Sequence, residues 1–414
     1  MRVPPAAASA GGIFTVDLPV ALGPVGLLRA NPRFSRLGLA MLVSSIGDPL
    51  TLATSLVLIF SATGSALAVG AAYASRTAAA LTVGALAGRL TDRADRRRLV
   101  LSIDIGRAGL VLTMPFATRL SVFAVYGYLL VLGGAEALAQ PARLAAVPGL
   151  VGRERIEVAN SLLITAVSLA QVLGFAIAGA LLALLTDPRP LYWFDALSYG
   201  ISAALVASLP SLGGRVTGPG LGGARRALQL PGVRSLLALA GGANLFVGIG
   251  TAAILPIAYV LSSRGAVAFT ALEVALIAGI VGGSLLAARI PSAAASLAMV
   301  ASLWLFSAAS IAVALVPVLA AALVAISATG VGNAVCVVTN RSALMHAAGE
   351  QRQGMVMSAR YAIGQTAQVI GLGCGAVTIG VLGPRWAFAL VAIGLGVVGS
   401  LPLRGVLPPQ RGSR

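Results

Sequence analysis

GRLTDRADRRR, residues 88–98, decides how this 414-residue chain is arranged. It holds Arg89, Arg93, Arg96, Arg97 and Arg98 together with Asp92 and Asp95, and long apolar runs lie on either side. A block this charged cannot enter hydrocarbon. It sits in water between two membrane spans and fixes which side of the bilayer they face.

The composition around it agrees. The chain is 58% hydrophobic and 10% charged, with a mean hydropathy of +0.96, against roughly 25% charged residues in soluble globular proteins. Apolar stretches of about 20 residues recur along nearly the whole length, as an α-helix needs to cross about 30 Å of hydrocarbon, and they lack the alternation of a β-barrel. The formal charge of +17 would suggest nucleic acid in a soluble protein. Here the basic residues fall in the gaps between apolar runs, so topology accounts for them and no nucleic-acid partner is expected.

The basic set is entirely arginine, in keeping with a GC-rich bacterial coding sequence. Cys336 and Cys374 lie inside apolar runs and His346 is the single histidine. Neither a disulfide framework, a metal site, a cofactor nor an enzyme's set of bases and nucleophiles is expected from them.

Twelve spans are expected, at about residues 37–60, 67–87, 99–118, 121–139, 158–185, 191–209, 235–261, 269–288, 293–315, 318–338, 355–382 and 386–401. Residues 1–34 form a cytoplasmic N-terminal tail and 403–414 a C-terminal one. The run QPARLAAVPGLVGRER, residues 140–155, is expected to be a basic loop. SLGGRVTGPGLGG has the composition of a flexible linker, and ARRALQLPGVR that of a short basic surface helix, so residues 210–234 divide the chain into bundles 35–209 and 235–402.

With alternate gaps taken as one side, only Arg119, Arg189, Arg264 and Arg385 fall opposite the charged loop; Arg76 and Arg107 lie inside spans. Both termini are therefore expected in the cytoplasm, with the protein in the cell (inner) membrane. GALAGRL, residues 84–90, also resembles GSLLAARI, residues 283–290, at an offset of about 200, which suggests a parallel repeat of six plus six helices.

Ionisable groups at the bilayer centre cost roughly 2.5 to 3.5 kcal/mol each, so each needs a partner or a task. Asp48 lies 12 residues past Arg36 and Arg76 lies 12 before Gly88, which puts both about 18 Å deep on adjacent antiparallel helices. They are expected to meet. Either they form a permanent bridge holding spans 1 and 2, or Asp48 takes up and releases a proton that drives transport. Asp104 and Arg107, three apart on one face of span 3, are expected to form a network with Glu136 of span 4 beneath the charged loop, as structure or as a gate. Gln171, Asn333, Gln365 and Gln368 line a polar path between the halves or bond neighbouring helices. Asp195 and Glu273 fall near the outer ends of spans 6 and 8, where capping or interfacial solvation suffices.

The charged loop resembles the signature loop of the major facilitator superfamily, with Gly88, Asp92, Arg93, Arg96 and Arg97 on the motif positions. The Asp-Arg-x-Asp-Arg-Arg variant is similar to the branch containing macrolide-efflux and enterobactin-export proteins. NPRFSRLGLAMLVSSIGD, QPARLAAVPGLVGRERIEVANSL and FDALSYGISA are similar to the same branch. The resemblance implies an all-α fold of twelve transmembrane helices in two six-helix pseudo-repeat bundles. It implies a monomeric drug:proton antiporter type of transporter that exports a small amphiphilic molecule, with protons and the lipid bilayer as its other partners; the alternatives are an uptake transporter or uniporter of the same fold and a membrane receptor that does not transport. It also places Asp92 against the start of span 11, near Gly354 to Ser358, as a latch on the inner side. Where the superfamily's antiporter signature has glycine followed by proline, Gly174 here precedes Phe175.

Overall fold

The computed structural model describes residues 24–91, 95–152, 155–210, 227–230, 232–291, 294–348 and 352–400. Among them are thirteen helices: α1 Pro24–Ala30, α2 Pro32–Thr63, α3 Ala66–Thr91, α4 Arg96–Leu120, α5 Ala124–Val151, α6 Ile156–Leu184, α7 Leu191–Ala207, α8 Val233–Leu261, α9 Gly265–Ala287, α10 Ala295–Leu315, α11 Leu319–Ala348, α12 Gln353–Leu382 and α13 Pro384–Ser400. Eight of these, α2, α4, α6 and α8 to α12, contain stretches long and apolar enough to cross a membrane; α7 and α13 are shorter apolar helices. The chain is thus an all-helical, multi-pass membrane protein.

Local signals set the helix ends. Asn31 caps α2 by accepting from the Phe34 N–H at 3.0 Å, Pro32 supplies a helix-ready φ at the first position, and Gly64 closes the helix at φ 60°. Asp95 caps α4 through the Arg97 N–H at 2.9 Å. At the charged-loop end, Arg97 donates to the Ala207 carbonyl and Arg36 to the Ser208 carbonyl, which places two cations on the negative end of α7.

One expected loop is helix instead. Residues 140–151 continue α5 through Pro141 and Pro148, and Leu150 and Val151 pack with Leu27, Phe34 and Leu37. The basic residue that suggested a solvated loop, Arg143, is 3% exposed and has a carboxylate partner inside the bundle.

The helices pair twice in the same pattern. In the first half α2 packs on α6 and α7, α3 on α5, and α4 on α7; in the second α8 packs on α12 and α13, α9 on α11, and α10 on α13. Close backbone approaches repeat with it. Gly174 of α6 abuts the Ile46 carbonyl of α2, and Gly371 of α12 abuts the Leu245 carbonyl of α8. Gly133 of α5 abuts the Arg76 carbonyl of α3, and Gly330 of α11 abuts the Leu276 carbonyl of α9. Each second-half pair lies roughly 200 residues beyond its counterpart, as a parallel repeat requires. Small residues let helix backbones approach closely where there is no hydrophobic drive between helices.

The halves meet through α3 against α12 and α6 against α9. Away from the charged loop the junction is filled by Phe175 edge-on to Phe269, by Phe60 with ring centroid 4.7 Å from Tyr259, and by Gly179 against Thr270.

Candidate functional site

Asp48 follows the close-packed Gly47 and precedes Pro49, which interrupts the hydrogen-bond ladder of α2 at this level. Its carboxylate lies 3.8 Å from the Arg76 guanidinium of α3, and Tyr199 of α7 donates its hydroxyl to Asp48 Oδ1 at 2.5 Å. The Asp48 and Arg76 side chains are 20% and 24% exposed and that of Glu136 is 33% exposed, whereas Arg107, Arg143 and Asp104 are buried.

Arg107 bonds Glu136 at 2.5 Å, donates to the Leu132 carbonyl at 3.3 Å and stands 5.1 Å from the Tyr199 ring centre. Asp104 does not join that pair. It bonds Arg143 at 2.7 Å and accepts from Ser202 at 2.8 Å. The network expected from Asp104, Arg107 and Glu136 is therefore two separate crossings between α4 and α5, and the residue missing from the expectation is Arg143. Glu136 and Arg143 are seven apart, two turns on one helix face. That spacing was the available signal, hidden by reading residues 140–155 as loop.

A cavity of about 560 Å³ lies between α3 and α5 of the first half and α12 of the second. Arg76, Thr77, Glu136, Gln140, Gln365 and Gln368 supply its polar lining; Gly133, Ala137 and Pro141 supply apolar wall, with Leu144 and Tyr361 nearer the charged-loop end. Those last two are 37% and 55% exposed. Of the four residues expected on a polar path, Gln365 and Gln368 line this cavity. Asn333 lines a small separate crevice with Asn340 and Arg360, and Gln171, partly buried on α6, lines neither.

Asp195 and Glu273 are not interfacial. Asp195 is 0% exposed and accepts from Thr51 at 2.5 Å and Ser198 at 3.0 Å. Glu273 is 7% exposed and accepts from Tyr73 across the junction of the halves at 3.3 Å. Helix ends alone do not reveal this burial, because α2 covers one carboxyl and α3 meets the other.

Of the signature-loop residues, Gly88 lies in α3, Arg96 is buried at the start of α4, and Arg97 bonds α7. Asp92 and Arg93 lie outside the described residues, and with them the expected latch on α12.

No protein-family model and no curated protein sequence matches the chain. Solved structures match in fold. A mutant form of the nucleoside transporter NupG aligns over 91% of this chain and 100% of its own, with a TM-score of 0.73 and 11% identity. An auto-inhibited POT family peptide transporter aligns over 92% and 99%, with a TM-score of 0.70 and 11% identity. The human organic anion transporter MFSD10 (TETRAN) aligns over 89% and 98%, with a TM-score of 0.63 and 16% identity.

Proposed function

We propose that this chain is a secondary active transporter of the major facilitator type, exporting a small amphiphilic compound in exchange for protons by alternating access. The observation that carries the reading is the cavity between α3, α5 and α12, at the junction of the halves, whose polar lining includes Arg76 of the Asp48–Arg76 pair. The transporters that share the fold support transport as its use.

In this reading α2 to α13 all cross the bilayer as two bundles, 35–209 and 235–402, joined by the linker 210–234. The arginine-rich side is cytoplasmic, both termini lie there, and the cavity faces inward in the cell membrane. The monomer works alone, the halves rocking about the site. Amide and hydroxyl groups from Gln140, Gln365, Gln368 and Thr77 hold the polar part of the solute, and Ala137, Pro141 and Leu144 receive its apolar part. Asp48 is the coupling carboxyl: its proton and the Arg76 guanidinium compete for it, so protonation frees Arg76 toward the cavity. The loop motif Gly88, Asp92, Arg93, Arg96 and Arg97 latches the inner side, Asp92 meeting the N-terminal end of α12 when that side closes.

The test is transport in vesicles of known protein orientation, with an imposed pH gradient and a panel of a lipophilic dye, a nucleoside, an organic anion and a dipeptide. Movement toward the outer face that an uncoupler abolishes, and that Asp48→Asn loses, is expected. Gradient-driven movement in the opposite direction makes the protein an importer. No movement of any probe by a folded protein counts against transport.

A further inference from the structure

One buried carboxyl of the first half stands outside its ion pairs. Among the described residues, Arg76, Arg107 and Arg143 lie inside the bundle, each with one carboxylate: Asp48, Glu136 and Asp104. Asp195 is a fourth carboxyl, 0% exposed, and no guanidinium is within ion-pair distance of it among the described residues. Its contacts are hydroxyls from Thr51 and Ser198 and the backbone of Gly47, where any side chain would strike Asp195 Oδ1 and Ser198. It is absent from the cavity lining. An isolated carboxylate in such surroundings costs several kcal/mol or more, and a carboxyl avoids that cost by keeping its proton, which Ser198 Oγ accepts in a hydrogen bond at 3.0 Å when it gives its own hydrogen to the Asp195 carbonyl at 2.8 Å.

The charged and titratable groups packed around it point the same way. From α2 the facing group is Asp48, a like charge one residue beyond Gly47. From α4, Arg107 is engaged by Glu136 and Asp104 by Arg143. From α3, Arg76 is engaged by Asp48. On α7 itself, Tyr199 donates to Asp48 and Tyr192 shares a hydrogen bond with Ser55 of α2. Among the described residues, no cation stands within ion-pair distance of Asp195.

We propose that Asp195 holds a resident proton at neutral pH, and that this neutral carboxyl is a positioning residue that leaves Asp48 as the one ionised partner of Arg76. The placement is reciprocal. Thr51 stands one turn beyond Asp48 on α2 and bonds Asp195, while Tyr199 stands one turn beyond Asp195 on α7 and bonds Asp48. The two helices exchange hydroxyls onto each other's carboxyls, so the Asp195 contact sets the height at which α2 presents Asp48 to Arg76. A second ionised carboxyl in this layer would repel Asp48 and draw Arg76 away from it. The resident proton removes that competition, and the labile proton belongs to Asp48. The role given to Asp48 rests on the transport reading; the presence of the proton on Asp195 does not.

The experiment is infrared spectroscopy of the full-length purified protein at neutral pH, comparing wild type with Asp195→Asn and Thr51→Val. Asp195→Asn is expected to lose intensity in the carbonyl-stretch region of protonated carboxyls, with the carboxylate region unchanged. Thr51→Val keeps the carboxyl and removes a hydrogen bond, so the same band is expected to move to higher frequency. This second variant decides the matter if the first fails to fold. Loss of carboxylate intensity in Asp195→Asn, or an unmoved band in Thr51→Val, overturns the proposal. In vesicles, Asp195→Asn mimics the protonated form and is expected to keep gradient-driven transport within about threefold of wild type. Loss of that transport in a folded Asp195→Asn protein makes Asp195 a cycling carboxyl and also overturns the proposal. If wild type itself moves no probe, the transport reading fails while the infrared result still stands or falls alone.

Discussion

Replacing Arg143 by methionine tests the corrected charge pairing most directly. Methionine keeps most of the volume and removes the guanidinium, leaving Asp104 fully buried with Ser202 as its remaining side-chain partner. The partners are 4% and 0% exposed and 2.7 Å apart, so solvent screens little of the interaction. Removing one member of such a pair costs about 3–5 kcal/mol, because the other charge stays buried without compensation. Asp104→Asn alone strands Arg143, whose Nε already lacks a partner, and its cost is of the same order. Removing both charges leaves neither stranded. The double variant is therefore expected to be no less stable than either single one, with the two losses far from additive. Unfolding in mixed micelles titrated with a denaturing detergent and followed by circular dichroism measures all four proteins. If Arg143→Met lies within about 1 kcal/mol of wild type, or if the losses add, residues 140–151 are the solvated loop that their charge first suggested.

Gly174→Val drives two methyl groups toward the Ile46 carbonyl and should cost about 1–3 kcal/mol, read as a lower melting temperature, while Gly200→Val meets open space and should leave stability unchanged or slightly raised, because valine is a better helix former than glycine. Gln365→Ala and Gln368→Ala remove cavity hydrogen bonds and should raise KM for a transported solute about two- to twelvefold each with stability unchanged, as removing a neutral hydrogen bond costs roughly 0.5–1.5 kcal/mol. Tyr73→Phe removes the hydroxyl that joins the halves at Glu273, so cysteine accessibility at the sealed end should increase; unchanged accessibility would show that the aromatic pairs alone keep it shut. Asp92→Asn should disable cycling while leaving insertion intact, since the neighbouring arginines still set topology; normal transport by that variant reduces the loop to an orientation signal.

What the sequence disclosed about the site follows from which distances run along a helix and which run between helices. Asp48 and Arg76 were legible as a pair because depth can be counted at 1.5 Å per residue from the same membrane face on two consecutive helices. Arg143 and Asp104 were not, since their meeting depends on α5 persisting beyond Pro141, and an arginine in a proline-flanked run suggests water until its partner is known. The burial of Asp195 is hidden in the sequence for a related reason. Its sequence distance from the helix end is short, but the close approach of α2 at Gly47, which buries it, comes from a segment far away in the chain.

The two halves then separate fold from chemistry. Glycine against carbonyl recurs at matching places in both, at Gly133 and Gly330 and at Gly174 and Gly371, so the packing is repeated. The charges are not: the carbonyl that Gly330 meets belongs to Leu276, where the first half has Arg76. Helices can be held at fixed separations by small residues whatever their neighbours carry, whereas a buried guanidinium persists only where a carboxylate answers it. Likeness of fold to transporters of nucleosides, peptides and organic anions therefore bears on the first feature alone. In the proposed mechanism the coupling chemistry falls to the first half, where Asp48, Arg76 and Tyr199 meet.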